Sequence, residues 1–296
     1  MAEELHAEQK GMITRRIPSG GAKSCASTTL WAHPPSIVRI EANAVHLWQA
    51  SLTLEPELLT ALRATLSAEE EKRAEQFSVS TLRERYIAGR GILRNILGRY
   101  LGESPDRIRF RYTEYGKPEL VDGRHLSFNL SHTRDRALYA ITDGRRIGVD
   151  IECLDRPAHS NRLKLAKRFF SQREYTDLRQ THQAEQNEAF LRCWTRKEAF
   201  IKAIGQGLTC PLDQFDVTLT RHEPAALLAT RWGASEAGQW SMAHIEPAPD
   251  AVGAVVVEGA SPRIARWRWT TDAVEIGPLP ETQPGSITGA HVCQQH

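Results

Sequence analysis

The sequence predicts a mixed α/β (α+β) protein, and three observations carry that reading. Residues 147–152 (Ile-Gly-Val-Asp-Ile-Glu) alternate apolar and non-apolar side chains with the two-residue period of a strand. Residues 82–100 instead set Tyr86, Leu93, Ile96 and Leu97 on one stripe of a helix, with arginines around it. Two Ser-x-x-Glu segments, beginning at Ser67 and Ser171, are capping boxes that start helices between the strand signals. Strands and helices therefore interleave along the chain.

Residues 1–42 lack sustained periodicity and include Ser19-Gly20-Gly21-Ala22-Lys23-Ser24, so they predict a disordered N-terminal extension. Residues 44–48 read as a first strand, and Glu70 is placed to bond back to the Ser67 cap. Short extended segments follow at residues 108–112 and 126–130. Residues 137–142 and 146–152 are joined by Asp143-Gly144, a two-residue hairpin signal. Helices resume at about Arg162, and the helix from about Asn187 stops near Gly205 and Gly207, which suit a helix C-terminus. Strands at residues 215–219, 240–245 and 252–257 close the body near Thr270, and residues 271–296 read as a loosely ordered tail.

The chain has 296 residues, 41% hydrophobic and 25% charged, with a net charge of +2. That balance excludes binding to nucleic acid or membrane through bulk charge. No apolar run is long enough to cross a membrane and the start has no apolar signal core, so the expected location is cytoplasmic. Cys25, Cys153, Cys193, Cys210 and Cys293 are widely spaced and form no C-x-x-C pair, which fits reduced thiols.

The chemistry concentrates in two segments. On the strand at 147–152, Asp150 and Glu152 share a face with Gly148, about 7 Å apart along the backbone. Gly148 reads as a place where a ligand approaches. Taken alone, so short a motif favours the solvated polar face of an edge strand. On the helix, Trp194, Glu198 and Lys202 follow each other at four-residue intervals and share one side. Alone, Glu198 and Lys202 read as a surface ion pair worth a few tenths of a kcal/mol. If Glu198 meets Asp150 and Glu152, three carboxylates ~5 Å apart repel by ~3 kcal/mol per pair at an effective dielectric of ~20. An all-oxygen cluster of that kind calls for a hard cation, and one shared with phosphates favours Mg²⁺.

Together these segments resemble the 4′-phosphopantetheinyl transferase superfamily, in its larger surfactin-type branch. The pattern G-(I/V)-D-x-E matches Gly148–Glu152, and W-x-x-K-E-(A/S)-x-x-K matches Trp194–Lys202. Phe169-Phe170-Ser171 through Glu174, Tyr115-Gly116-Lys117-Pro118 and Phe128-Asn129-Leu130-Ser131-His132 match three further segments, in the family's order. The resemblance implies two similar α/β halves, 43–145 and 146–270, with the active site in the cleft between them and coenzyme A bound there. It implies transfer of phosphopantetheine to a serine of an apo acyl or peptidyl carrier protein, with Mg²⁺ held by Asp150, Glu152 and Glu198. It further implies Glu198 and Lys202 as catalytic groups. Arg73, Arg85, Lys117, Ser131, His132, Asp150 and Lys202 are implied as coenzyme A contacts, Lys117 in the nucleotide site. Glu70 departs from the pattern, because some members carry a basic residue there. Lys197 reads as a surface or helix residue. Carrier proteins are commonly acidic around their serine, which makes Arg162, Leu163, Leu165, Arg168, Phe169 and Phe170 a candidate docking stretch, with a buried helix edged by solvated basic groups as the equal alternative. Two fused halves make a monomer sufficient. Two other readings stand beside this one: another Mg²⁺-dependent phosphoryl-transfer enzyme such as a nuclease, and a non-catalytic carrier-binding module.

Overall fold

The computed structural model describes residues 31–121, 125–155 and 162–270. The predicted disorder of residues 1–30 and the predicted tail at 271–296 lie outside the described residues. The first part of the chain contains β1 (Ala44–Ser51), α1 (Pro56–Arg63), α2 (Ala68–Glu75), α3 (Ser80–Leu101), β2 (Phe110–Tyr112), β3 (Pro118–Leu120), β4 (Leu126–Thr133) and β5 (Arg136–Asp143). The second contains β6 (Ile147–Cys153), α4 (Arg162–Phe169), α5 (Gln172–Gln180), α6 (Gln186–Ile204), β7 (Phe215–Val217), β8 (Leu227–Thr230), β9 (Trp240–Ala248), β10 (Ala251–Glu258) and β11 (Arg263–Arg268). The fold is mixed α/β, as the interleaved signals predict. No helix among the described residues is long and apolar enough to cross a membrane.

Two sheets, ordered β11-β1-β5-β4 and β6-β10-β9, organise the body. Their facing sides make one apolar layer, with Val45, Leu47, Leu138 and Ala140 against Ile147, Val149, Ile151, Val255 and Val257. The outer side of the first sheet, including Trp48, Tyr139 and Ile141, packs on the α3 stripe of Ala88, Ile92, Leu93 and Ile96. The outer side of the second, Val252, Ala254 and Val256, packs with Phe190, Cys193 and Phe200 of α6. Strand alternation thus gives every central strand two buried faces, and the layers run helix, sheet, sheet, helix.

Both capping boxes form. Ser67 accepts the Glu70 N–H while Glu70 takes the Ser67 N–H, and Ser171 with Glu174 repeats the arrangement. The long helices α3 and α6 both end on a left-handed glycine, Gly102 at φ 65° and Gly205 at φ 76°.

Three features depart from expectation. Asp143-Gly144 does not close a hairpin: β5 pairs with β1 and β4, while β6 pairs with β10. Both edges of β5 are already occupied, so the turn, with Gly144 at φ 65°, carries the chain from one sheet to the other. A tight hairpin does form at β4–β5, where Arg134 takes the left-handed conformation at φ 54°. Second, β11 crosses back from the second half and pairs in parallel with β1. Third, residues 31–42 are not a detached extension. Ala32 bridges Trp267, Val38 is buried, Trp31 packs on the inter-sheet core, and Arg99 donates to the Pro35 carbonyl at 2.7 Å.

Those contacts predict a stability difference between a chain starting at residue 43 and one starting at residue 31. Burial of a Val and part of a Trp stabilises by about 2–3 kcal/mol, which for a body of this size lowers the melting temperature by at least about 4 °C when lost. Equal melting temperatures by calorimetry would show that residues 31–42 contribute nothing.

Candidate active site

The site forms where β4 of the first sheet lies beside β6 of the second, with α6 across β6. Gly148 sets that crossing. A Cβ there would lie 2.0 Å from the Ala199 carbonyl oxygen and 2.4 Å from the Ala203 nitrogen, so any side chain would drive α6 off the strand. The glycine serves close helix–strand approach rather than the approach of a ligand.

The close crossing brings the helix's polar side chains onto those of the strand. Lys202 Nζ lies 2.6 Å from Asp150 Oδ1, 3.0 Å from Ser131 Oγ and 3.3 Å from the Val149 carbonyl. Ser131 donates its hydroxyl to the same Asp150 oxygen at 2.7 Å. Thr133 donates to Glu152 Oε2 at 3.3 Å. Asp150 and Glu152 are only 6% and 8% exposed, so this is no solvated edge face. The other Asp150 oxygen, Oδ2, is buried without a hydrogen-bond partner.

The electrostatics follow from this crowding. Burial pushes the Glu198 carboxyl up to about 7; the Asp150 charge adds to it, Lys202 opposes, and Glu152 adds a smaller push. Burial alone would lower the Lys202 ammonium, but Asp150, Glu198 and Glu152 together raise it, so Lys202 stays charged at neutral pH. All three carboxylates therefore act within one local field. Among the described residues, no three His, Cys, Asp or Glu side chains already stand together as a ligand set. Asp150 Oδ1 faces Lys202, and Glu152 is held by Thr133. The donors nevertheless fit a hard divalent cation: they are all carboxylate oxygens, and a buried Asp150 oxygen has no other partner.

The predicted coenzyme A contacts fall in different places. Ser131, Asp150 and Lys202 meet, as described. His132, the next residue on β4, is exposed. Arg73 on α2 is exposed and donates to Gln76 at 2.8 Å. Arg85 on α3 is half-buried, with a buried Nε that has no partner. Lys117 is engaged elsewhere, donating to the carbonyls of Ile147 at 3.0 Å and Lys202 at 2.7 Å. Glu70 is 3% exposed and pairs with Arg94 at 2.7 Å besides capping α2, which gives the departure from the basic pattern a structural reason.

Three residues outside the predicted site support it. Asn129 accepts the Val149 N–H at 2.9 Å, and Thr133 holds Glu152. Their signal was the alternation Asn129, Ser131, Thr133, which puts all three on the β4 face that carries Ser131. Lys197, read as a surface or helix residue, is fully buried. It lies 2.8 Å from Glu174 Oε2 and donates to the carbonyls of Leu212 and Phe215, each at 2.6 Å. Its signal was position, since Phe190, Cys193, Lys197 and Phe200 fall on one helical stripe. Phe170, placed in the docking stretch, is likewise a core residue, 4% exposed.

Removing Lys197 strands a buried Glu174, whose carboxyl burial already pushes up. Lys197→Met should lower unfolding free energy by ~3–5 kcal/mol. Glu174→Gln combined with Lys197→Met should lose less than the sum of the single losses. Urea midpoints for the cycle test this, and additivity within about 0.5 kcal/mol would mean the two groups are not coupled.

Two family models match the chain. One, described as the 4′-phosphopantetheinyl transferase superfamily, matches residues 146–256, and one described as 4′-phosphopantetheinyl transferase, N-terminal, matches residues 47–142. The 4′-phosphopantetheinyl transferase HetI of Nostoc sp. is 41% identical over 232 residues, which cover 77% of this chain and 94% of HetI. The 4′-phosphopantetheinyl transferase Sfp of Bacillus subtilis is 37% identical over 154 residues, 52% of this chain and 66% of Sfp. A holo-(acyl-carrier-protein) synthase from Bacillus anthracis, solved with CoA (3′,5′-ADP), aligns at a TM-score of 0.31 and 20% identity over 38% of this chain and 96% of that one, a likeness too slight to carry weight. With both halves matched and the site motifs meeting in space, the chain belongs to the 4′-phosphopantetheinyl transferase superfamily, in its surfactin-type branch.

Proposed function

We propose that this enzyme transfers the 4′-phosphopantetheine group of coenzyme A to a serine of an apo acyl or peptidyl carrier protein, as a Mg²⁺-dependent cytoplasmic monomer. Adenosine 3′,5′-bisphosphate is the other product. The observation that carries the reading is the buried Asp150–Lys202–Ser131 contact beside Glu198, with Asp150 Oδ2 left unpartnered. Names of relatives at 41% and 37% identity agree with it.

In the reaction the serine oxygen bonds to the β-phosphorus of coenzyme A, and the bond from that phosphorus to the bisphosphate oxygen breaks. Glu198, on α6 one turn before Lys202 and within the field of Asp150, takes the serine proton. Lys202, charged and held by Asp150, places its ammonium where charge grows on the leaving oxygen and can supply its proton. Ser131 orients that ammonium through its hydroxyl. Asp150, Glu152 and Glu198 would hold Mg²⁺, which when bound neutralises pyrophosphate charge. Arg73, Arg85 and His132 supply polar groups for the nucleotide part of coenzyme A.

On α4, Leu163 is 39% exposed, Lys164, Lys167 and Arg168 are exposed, and the Arg168 guanidinium lies 5.0 Å from the Phe169 ring. That mixed basic and apolar face suits an acidic carrier. Reversing charge at Arg162 and Arg168 should raise KM for the carrier several-fold while KM for coenzyme A stays within twofold. Equal effects on both substrates would place the docking surface elsewhere.

Four site variants test the chemistry in transfer assays across a Mg²⁺ titration, with melting temperature as the folding control. Asp150→Ala and Glu198→Ala should each lose at least about a hundredfold in rate, the scale of one well-placed electrostatic group. Extra Mg²⁺ should partly restore Glu152→Ala and leave Glu198→Ala inactive. Lys202→Ala should depress kcat with little change in Mg²⁺ affinity. Folded Asp150→Ala and Glu198→Ala proteins with near-normal rates would remove the site from the mechanism.

A further inference from the structure

We propose that Lys117 is a positioning residue of the transfer centre: its ammonium ties the last turn of α6 to the first residue of β6 and so sets Lys202 against Asp150. The inference rests on the transferase reading above and assigns Lys117 a role other than contact with the nucleotide.

The geometry begins with two carbonyls that need donors. Lys202 carries one of the last four carbonyls of α6, which a helix leaves without partners of its own. Ile147 opens β6, which among the described residues is an edge strand paired on one side only. Lys117 Nζ donates to both, at 2.7 and 3.0 Å. An ammonium has three donors, and two are spent here. A cation at a helix C-terminus is also favoured by the helix dipole. Burial lowers the Lys117 pKa to about 8, which fits an amine withdrawn from water onto neutral carbonyls.

The turn that carries Lys117 is itself seated on the helix end. A Cβ at Gly205 would lie 3.9 Å from Lys117 Cδ, and one at Gly207 would lie 3.5 Å from Tyr115 Cβ. On the strand side, a Cβ at Gly148 would come within 3.0 Å of the Lys202 carbonyl carbon. The Lys202 peptide is thus held from two directions, by Gly148 and by the Lys117 ammonium. Its side chain then reaches Asp150 at 2.6 Å. A shift of about 1 Å at a reacting group can cost about a hundredfold in rate, so a small relaxation of this turn is enough to matter.

The test uses the full chain, with coenzyme A varied at saturating apo acyl carrier protein. Lys117→Met should lower kcat ten- to a hundredfold while KM for coenzyme A stays within twofold. Lys117→Arg, which keeps a charge and donors for both carbonyls, should recover at least a third of the wild-type kcat. A tenfold rise in KM with kcat intact would mean that Lys117 contacts the nucleotide and would overturn the proposal. Unchanged kcat and KM with a lowered melting temperature would reduce it to a stability residue and overturn it equally. Should Lys117→Met fail to fold, Lys117→Gln is judged by the same split. Inactivity of the wild type on every carrier would sink the transferase reading itself. The clamp is then read by hydrogen exchange, where loss of Lys117 should speed amides 147–149 and 201–205 at least tenfold and leave α3 unchanged. Unchanged exchange at those amides overturns the clamp.

Discussion

The outer edge of β6 is the constraint on which the site depends. Among the described residues this strand has a backbone partner only in β10, yet its other edge lies inside the protein against β4. Buried backbone groups need partners, and here side chains supply them. Asn129 takes the Val149 N–H, Lys117 takes the Ile147 carbonyl and Lys202 approaches the Val149 carbonyl. A backbone ladder would have joined the two sheets into one. Closure by side chains leaves a polar seam instead, and Asp150 and Glu152 open into it opposite Ser131 and Thr133. Lys202 both completes the fold at this edge and lines the site, while Asn129 and Lys117 close the edge beside it.

Helix α6 is fixed on both of its sides by different means. Toward β6 it rests on the backbone of Gly148 with no side chain between. Toward the α5–β7 side, Lys197 is sunk among Glu174 and two carbonyls, over the Phe215 ring at 4.2 Å. A buried ion pair contributes little net stability when fully satisfied, but its directional bonds admit few alternative seatings of the helix. Lys197 and Glu198 are neighbours in sequence and point to opposite surroundings, one structural and one chemical. A rotation of α6 that moved Glu198 would have to break the Lys197 bonds.

Local patterns were legible where one residue's neighbours decide its fate. Alternation put Ile147, Val149 and Ile151 on one face, and the capping boxes at Ser67 and Ser171 both formed, because each depends on contacts within four residues. Partner choice was not legible. Asp143-Gly144 supplies a left-handed turn in either topology, and only the occupied edges of β5 send the chain onward to the other sheet. The parallel pairing of β11 with β1 joins residues more than two hundred positions apart, beyond any local period. At the site, the meeting of Asp150, Ser131 and Lys202 followed from motifs the resemblance had grouped. The structural tasks of Gly148, Lys117 and Lys197 did not: in their motifs Gly148 and Lys117 read as chemistry and Lys197 reads as surface, and only the backbone around each shows otherwise.

The charge balance of the site is set by three carboxylates and Lys202. Asp150, Glu152 and Glu198 bring three carboxylates into a mostly buried seam against one nearby ammonium, Lys202. Burial and the charges of Asp150 and Glu152 raise the Glu198 carboxyl while Lys202 opposes them, so one lysine leaves part of the repulsion uncompensated. The protein's own response is visible in Glu198, whose proton is retained up to about 7. A second cost sits at Asp150 Oδ2, since a buried acceptor without a donor loses about 1–3 kcal/mol of hydration. Packing elsewhere must offset both. A bound cation would relieve both at once, so its binding energy and the stability of this part of the fold are linked quantities.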